Sequence, residues 1–253
     1  FLRNMELDNE KIDKTINDIV NNGYSELNNF FDKQESETLK SEINEIFKSR
    51  NIENINNPTS IFSLKENIYG RLHTTVTGQS DRLDKIIDKL FNNEFLSVIL
   101  DKLIGSNRKL YSLNVRRANK NSNFVGVHTD GVGDVFSFSI LINDHDERSP
   151  TTCVVPKSHI SFFNLGDKIE WLPTKYISFL LKPFIGKTGK IMFFDNNIWH
   201  GMQNGENEGT AIIFCFLAEG ALVEELHKIN EITYYNETYE RVFSNKFLDL
   251  IDK

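Results

Sequence analysis

Apolar residues recur at two different spacings along this chain, and the change comes near Lys109. Before it, the three-to-four spacing of amphipathic helices dominates. Residues 6–21 carry it first. Gly23 and the run Tyr24 to Leu27 then read as a short strand leading into Phe30 and Phe31. Leu39, Ile43, Ile46 and Phe47 make the apolar stripe of a helix over 35–49, with Glu35, Glu37 and Thr38 near its start. Leu83, Ile86, Ile87 and Leu90 predict a helix over 82–91. Phe95, Val98, Ile99 and Leu103 predict another over 94–104. From Lys109 the period shortens to two. Leu110 to Val115 alternates like a strand, as does Val135 to Ile142 with its serines on one face. Thr151 to Val155, Lys190 to Phe194 and Thr210 to Leu217 are further strands.

Helices followed by many short strands predict an antiparallel, mainly β structure of the α+β class with helices on one side. Without an internal repeat or a Pro/Gly/Ser-rich linker, residues 1–253 are expected to form one domain. Its parts are a helical portion over about 6–108 and a strand core over about 109–218. Residues 160–185 interrupt the core as an insertion holding a helix from Lys175 to Phe184, and 236–252 read as a C-terminal helix.

Composition narrows the function. A net charge of −7 argues against a nucleic-acid partner, which would call for a basic face. No apolar run approaches the roughly 18 residues of a membrane span, and no signal-peptide pattern opens the chain. Phe1 to Asn4 are expected to be an added remnant ahead of a natural start at Met5. Cys153 and Cys215 lie in apolar, strand-like runs, where a buried free thiol is the expected state, so a cytoplasmic protein is expected.

The candidate chemistry lies in His128-Thr129-Asp130 and His200. Residues i and i+2 of a strand share a face, so His128 and Asp130 can converge on one ion. His200 follows a strand and the turn-like Asp195-Asn196-Asn197. Two imidazoles and one carboxylate on one face of an iron ion leave positions open for a bidentate cosubstrate and dioxygen. A His-x-Asp pair alone is weak. A near-miss, His145-Asp146-Glu147, sits in a charged, breaker-rich stretch that reads as a solvated hairpin loop.

With these residues in view, the chain resembles the phytanoyl-CoA dioxygenase family of Fe(II)/2-oxoglutarate oxygenases. Four stretches carry the likeness: Gly23-Tyr24 to Phe31 with the acidic helix after it, Val127 to Gly131, Val154-Val155-Pro156-Lys157-Ser158-His159, and Gly189 to Gly201 with Asn204 beyond. In the third, Lys157 replaces a glycine of the family. The resemblance implies a double-stranded β-helix, the jelly-roll or cupin-like core, with Fe(II) held by His128, Asp130 and His200. It also implies oxidative decarboxylation of 2-oxoglutarate by O2 and hydroxylation of an unactivated C–H bond in a small-molecule substrate. Asp130, where related halogenases carry a small residue, favours hydroxylation.

One departure stands out. Where the family places an arginine for the distal carboxylate of 2-oxoglutarate, this chain has Thr210 and Ala211, and no basic residue lies between His200 and Leu217. A carboxylate in an apolar barrel needs a cation or dense hydrogen bonding. Arg116 and Arg117 are the candidates. Alternation puts Arg116 with Ser112 and Asn114, and Arg117 with Leu113 and Val115. If the latter face is core, Arg117 points inward. Arg116 is favoured slightly because polar Asn114, a second cosubstrate candidate, shares its face. Thr210 could donate a hydroxyl to the same carboxylate. The alternative reading is a metal-binding β-helix protein with lost or altered 2-oxoglutarate use, or a cupin-like binding module. His159 is expected to be a structural turn residue. His73 is open between the mouth of the site and the surface, and Trp171, Tyr176 and Phe179 between a lid and, as favoured, ordinary packing.

Overall fold

Four capped helices precede most of the strands in the computed structural model, which describes residues 8–54, 63–67, 69–123, 125–129, 135–160 and 177–219. Helix α1 (Asn9–Asn22) starts at Asp8, whose carboxylate accepts the Lys11 N–H at 3.0 Å. It stops at Gly23, whose φ of +83° suits a residue without Cβ. Helix α2 (Lys33–Ser49) opens on a reciprocal capping box between Asp32 and Glu35. Helices α3 (Asp81–Phe91) and α4 (Glu94–Ile104) start from the side chains of Ser80 and Asn93.

The strands are β1 (Tyr24–Leu27), β2 (Ile52–Asn54), β3 (Leu64–Glu66), β4 (Leu72–Thr75), β5 (Lys109–Ala118), β6 (Val125–His128), β7 (Val135–Leu141), β8 (Thr152–Val154), β9 (Lys182–Pro183), β10 (Ile191–Asp195), β11 (His200–Met202) and β12 (Gly209–Leu217). They form an eight-stranded sheet in the order β1-β10-β7-β12-β5-β4-β3-β2 and a four-stranded sheet in the order β6-β11-β8-β9. From β5 onward the chain passes back and forth: β5, β7, β10 and β12 in the large sheet, and β6, β8, β9 and β11 in the small one.

Period two makes the large sheet two-faced. Its outer face carries Leu113, Val115, Phe136, Phe138, Ile140, Phe193, Ile212 and Phe214. These pack in one apolar core with Ile12, Leu39, Ile43, Leu83, Phe95 and Ile99 of the helices. Phe138 lies at the centre, stacked on Phe214 with ring centroids 4.3 Å apart. The inner face, toward the small sheet, carries Ser112, Asn114 and Arg116 of β5, Ser137 of β7 and Ala211 and Cys215 of β12 around a cavity. A smaller apolar cluster of Leu141, Val154, Phe184, Met192, Phe194 and Ile198 lies on this inner side.

The helices and most strands fall where period and caps place them. Two differences have physical causes. Strands β2, β3 and β4 extend the large sheet inside the portion read as helical, because segments of three or four residues are too short for their period to register. Residues 177–184 hold a one-turn 3-10 helix (Ser178–Leu180) followed by β9, not a helix, since Thr152 and Val154 supply the β-ladder. His200 begins β11, after β10 and the turn at Asp195 to Asn197. The expected C-terminal helix, Trp171, Tyr176 and Asp130 lie outside the described residues. Among the described residues, no helix is long and apolar enough to cross a membrane.

Candidate active site

His128 ends β6 and His200 begins β11, and pairing sets the two directly opposite each other. Their ring centroids are 4.6 Å apart. Between His200 and Met202 the register shifts, so β6 spends one extra residue there. A bulge of this kind re-aims the side chains beside it. Gly201 permits the close approach: a Cβ there would meet the Val125 carbonyl oxygen at 2.7 Å.

Both imidazoles are held the same way. His128 Nδ1 donates to Gly126 O at 2.8 Å, and His200 Nδ1 donates to Ile198 O at 2.9 Å. A carbonyl only accepts, so each Nδ1 carries a proton, and in the neutral ring the lone pair is left on Nε2. That tautomer, fixed by a backbone carbonyl, is the one a metal-binding histidine presents. His200 is buried, with the Phe194 ring at 5.4 Å, and His128 is half-buried. The pair suits a transition metal with imidazole affinity. No third His, Cys, Asp or Glu joins them among the described residues.

The turn Val155-Pro156-Lys157-Ser158-His159 braces this pair. Ser158 Oγ donates to Val155 O at 2.7 Å and accepts the Trp199 N–H at 2.7 Å, which ties down the residue before His200. Lys157 adopts φ +67°, so the glycine-like conformation of the turn is kept with a side chain in place. His159 Nε2 meets Val20 O at 3.0 Å, away from the cavity, as a structural turn residue does.

The cavity holds about 540 Å³ between the sheets, with His128, His200, Asn114, Arg116, His73 and Phe194 among its walls. Along β5, Arg116 Nε donates to Asn114 Oδ1 at 2.9 Å, and Asn114 Nδ2 donates to Ser112 Oγ at 2.8 Å, a polar ladder on the inner face. Arg116 is directly across from Ala211 on β12.

Arg117 corrects the sequence reading. The Leu113/Val115 face is core, but it is the core beneath the helices. Arg117 donates to Asn44 Oδ1 at 2.6 Å and to Thr210 Oγ1 at 3.0 Å, pairs with Glu208 at 3.3 Å, and stacks 4.0 Å over Phe47. Thr210 follows it, with its hydroxyl engaged on that outer side. Neither is part of the cavity wall.

His145 also departs from expectation. Asp144, Asp146, Glu147 and Arg148 are exposed as in a solvated loop, but His145 is buried at the cavity wall. Its Nδ1 meets Thr151 Oγ1 at 3.0 Å and its Nε2 accepts the Thr210 N–H at 3.1 Å. Burial holds its pKa down at about 4, so it is neutral and braces the start of β12. Phe179, expected to pack, is 81% exposed. Arg71 went unnoticed in the sequence although it lines the cavity. Its signal was the alternation Arg71, His73, Thr75 along Gly70-Arg71-Leu72-His73-Thr74-Thr75.

No protein-family profile matches the sequence, and no curated protein matches it. Solved structures do. HygX from Streptomyces hygroscopicus, with nickel, 2-oxoglutarate and hygromycin B bound, is similar with a TM-score of 0.61 and 12% identity, covering 82% of this chain and 87% of that one. SnoN, a non-heme α-ketoglutarate-dependent epimerase from nogalamycin biosynthesis, gives 0.62 and 14%, covering 83% and 84%. SnoK, a non-heme α-ketoglutarate-dependent carbocyclase from the same biosynthesis, gives 0.61 and 13%, covering 86% and 90%. At these identities the likeness is one of fold: this chain has the two-sheet fold of those enzymes.

Proposed function

We propose that the protein is a non-haem Fe(II)- and 2-oxoglutarate-dependent dioxygenase that hydroxylates an unactivated C–H bond of a small-molecule metabolite, releasing succinate and CO2. The observation that carries this is the pair of opposed imidazoles, both with Nδ1 on a carbonyl, at the wall of a polar cavity between two sheets. The alternation of β5 to β12 between the sheets supports a double-stranded β-helix core within one domain. The solved relatives that bind or depend on 2-oxoglutarate support the cosubstrate. Cys153 and Cys215, buried and in no disulfide, fit a reducing cytoplasm.

In this reading His128, His200 and, from the sequence, Asp130 hold the iron. The bound metal supplies activation of O2 coupled to decarboxylation of 2-oxoglutarate. The chain supplies orientation. The Gly126 and Ile198 carbonyls fix the imidazole tautomers, and Phe194 excludes water on the His200 side. Arg116 faces the inner-side position that Ala211 leaves small, so a guanidinium on β5 takes the role the family gives to β12. Asn114 steadies Arg116 and offers its own amide to the cavity.

The test is direct. Anaerobic Fe(II) plus 2-oxoglutarate should give a weak visible charge-transfer band, and succinate should form in air with a substrate. His128→Ala and His200→Ala should weaken Fe(II) binding by roughly 100-fold or more with the fold intact. A wild-type protein that binds Fe(II) without the band would instead be a metal-binding β-helix protein with altered cosubstrate use.

A further inference from the structure

One wall of the cavity is built by β4 and the turn before it. Strand β4 lies beside β5, with His73 opposite Arg116 and Thr75 opposite Asn114. Arg71 stands two residues before His73 and lines the same cavity as His73 and Arg116. It is only 5% exposed. One terminal nitrogen donates to Asn123 O at 2.9 Å, and the guanidinium lies 5.6 Å from the Tyr69 ring. Its Nε is buried without a hydrogen-bond partner. Asn67 Oδ1 accepts the Tyr69 and Arg71 N–H groups at 3.0 and 3.1 Å, which fixes the turn that presents it.

Four arginines on or beside these strands differ in one respect. Arg108 pairs with Asp101 and Arg117 with Glu208. Arg71, which is buried, and Arg116, which is exposed but lines the same cavity, have no carboxylate partner among the described residues. A buried cation without a counter-charge is costly. Burial, and then the charge of Arg116, lower the Arg71 pKa to about 10, which still leaves it charged near neutrality. His73 between them has its pKa lowered to about 4, by burial first and then by Arg116, and adds no charge of its own. Two guanidiniums sharing one wall, with a free donor between the sheets, make a place for an anion.

The wall also stands at a suitable distance. Ser112, Cys215, Ser137 and Phe194 are in register across the large sheet, and Phe194 packs on His200. Arg116 is four residues further along β5, about 13 Å of strand, with its side chain turned back toward Asn114. A dicarboxylate with one end at the imidazoles therefore points its other end at the two arginines.

We propose that Arg71 and Arg116 form a two-guanidinium clamp for the carboxylate of the cosubstrate remote from the metal, so that β4 and β5 hold it in place of β12. This rests on the 2-oxoglutarate reading above. Arg71 immediately precedes β4, a strand added outside the β5–β12 set, which gives that strand a functional reason to join the sheet.

The experiment titrates the anaerobic Fe(II) protein with 2-oxoglutarate and with pyruvate, following the visible band. Pyruvate keeps the chelating 2-oxo acid end and lacks the remote carboxylate. Wild type should bind 2-oxoglutarate far more tightly. Arg71→Gln should raise the 2-oxoglutarate Kd about 10- to 100-fold while the pyruvate Kd stays within about twofold. Arg71→Lys, which fills the space and keeps the charge, should fall between, and it also answers any misfolding of the glutamine variant. Arg71→Gln combined with Arg116→Gln should remove the preference for 2-oxoglutarate. A 2-oxoglutarate Kd unchanged in both Arg71 variants overturns the clamp alone, as does an equal loss of pyruvate binding. No band in wild type with either acid overturns the cosubstrate reading and the clamp with it.

Discussion

The two faces of the eight-stranded sheet are built from the same strands and are both largely buried, yet they have opposite chemistry. The outer face presents Phe136, Phe138, Phe193, Phe214 and Phe216 to four helices. The inner face presents Ser112, Asn114, Arg116, Ser137 and Ser139, one residue out of step along β5 and β7. The outer face packs into the apolar core with the helices; the inner face encloses a cavity with both imidazoles at its wall. Burial alone therefore does not separate core from site in this fold. What separates them is whether the facing layer fills the space. Helices carry enough apolar side chain to close-pack against the outer face, whereas the four short strands of the small sheet leave room.

The largest effect is expected on the outer side. Phe138→Ala removes a fully buried ring stacked on Phe214 and should cost about 3–5 kcal/mol in urea unfolding. Fe(II) affinity of the fraction still folded should not change. A loss of metal affinity without a loss of stability would mean that the two faces are not independent.

The next effect is acid sensitivity on the inner side. Burial depresses the His145 pKa to about 4, so the folded state prefers the neutral ring. Its contribution is complete above the unfolded value near 6.5 and is lost as pH falls toward 4. Stability should drop by about 2–3 kcal/mol between pH 7 and 4.5 from this group, and His145→Asn should flatten that slope. An unchanged slope in the variant would return His145 to a solvated loop.

Adjacent arginines sharpen the contrast further. Arg117→Ala should lower stability by about 2 kcal/mol through its lost bonds to Asn44 and Thr210 and its stacking on Phe47, with the 2-oxoglutarate Kd unchanged. Arg116→Ala should do the reverse. If Arg117→Ala weakened the cosubstrate instead, the assignment of faces along β5 would be wrong. The smallest effect belongs to Ser139, whose hydroxyl is buried without a partner. Ser139→Ala should leave stability unchanged or raise it by up to about 1 kcal/mol.

Much of this layout was legible in the chain. The helical stripes of Leu39/Ile43/Ile46 and Leu83/Ile86/Ile87 are inner faces of α2 and α3, and the alternation of Leu113 and Val115 against Ser112 and Asn114 is the two-sidedness of β5. Three things were not. Strands β2 to β4 owe their state to pairing with β5, not to their own few residues. His145 looked solvated because its charged neighbours are, and only its bonds to Thr151 and Thr210 bury it. Arg117 looked inward because the Leu113/Val115 face is apolar, and nothing local says which layer that face meets.

By itself, then, the sequence determined the elements, the two-faced strands and the chemical identity of His128 and His200, because period, capping and side-chain type are local properties. The tertiary structure alone decided that His200 lies across from His128, that the Ser112/Asn114/Arg116 face looks onto the cavity, and that Arg71 arrives on the same cavity as Arg116 from the turn before a separate strand. Those are matters of register between distant segments. Backbone hydrogen bonds set register across the sheet, and the packing of helices against one face leaves the other to hold the site.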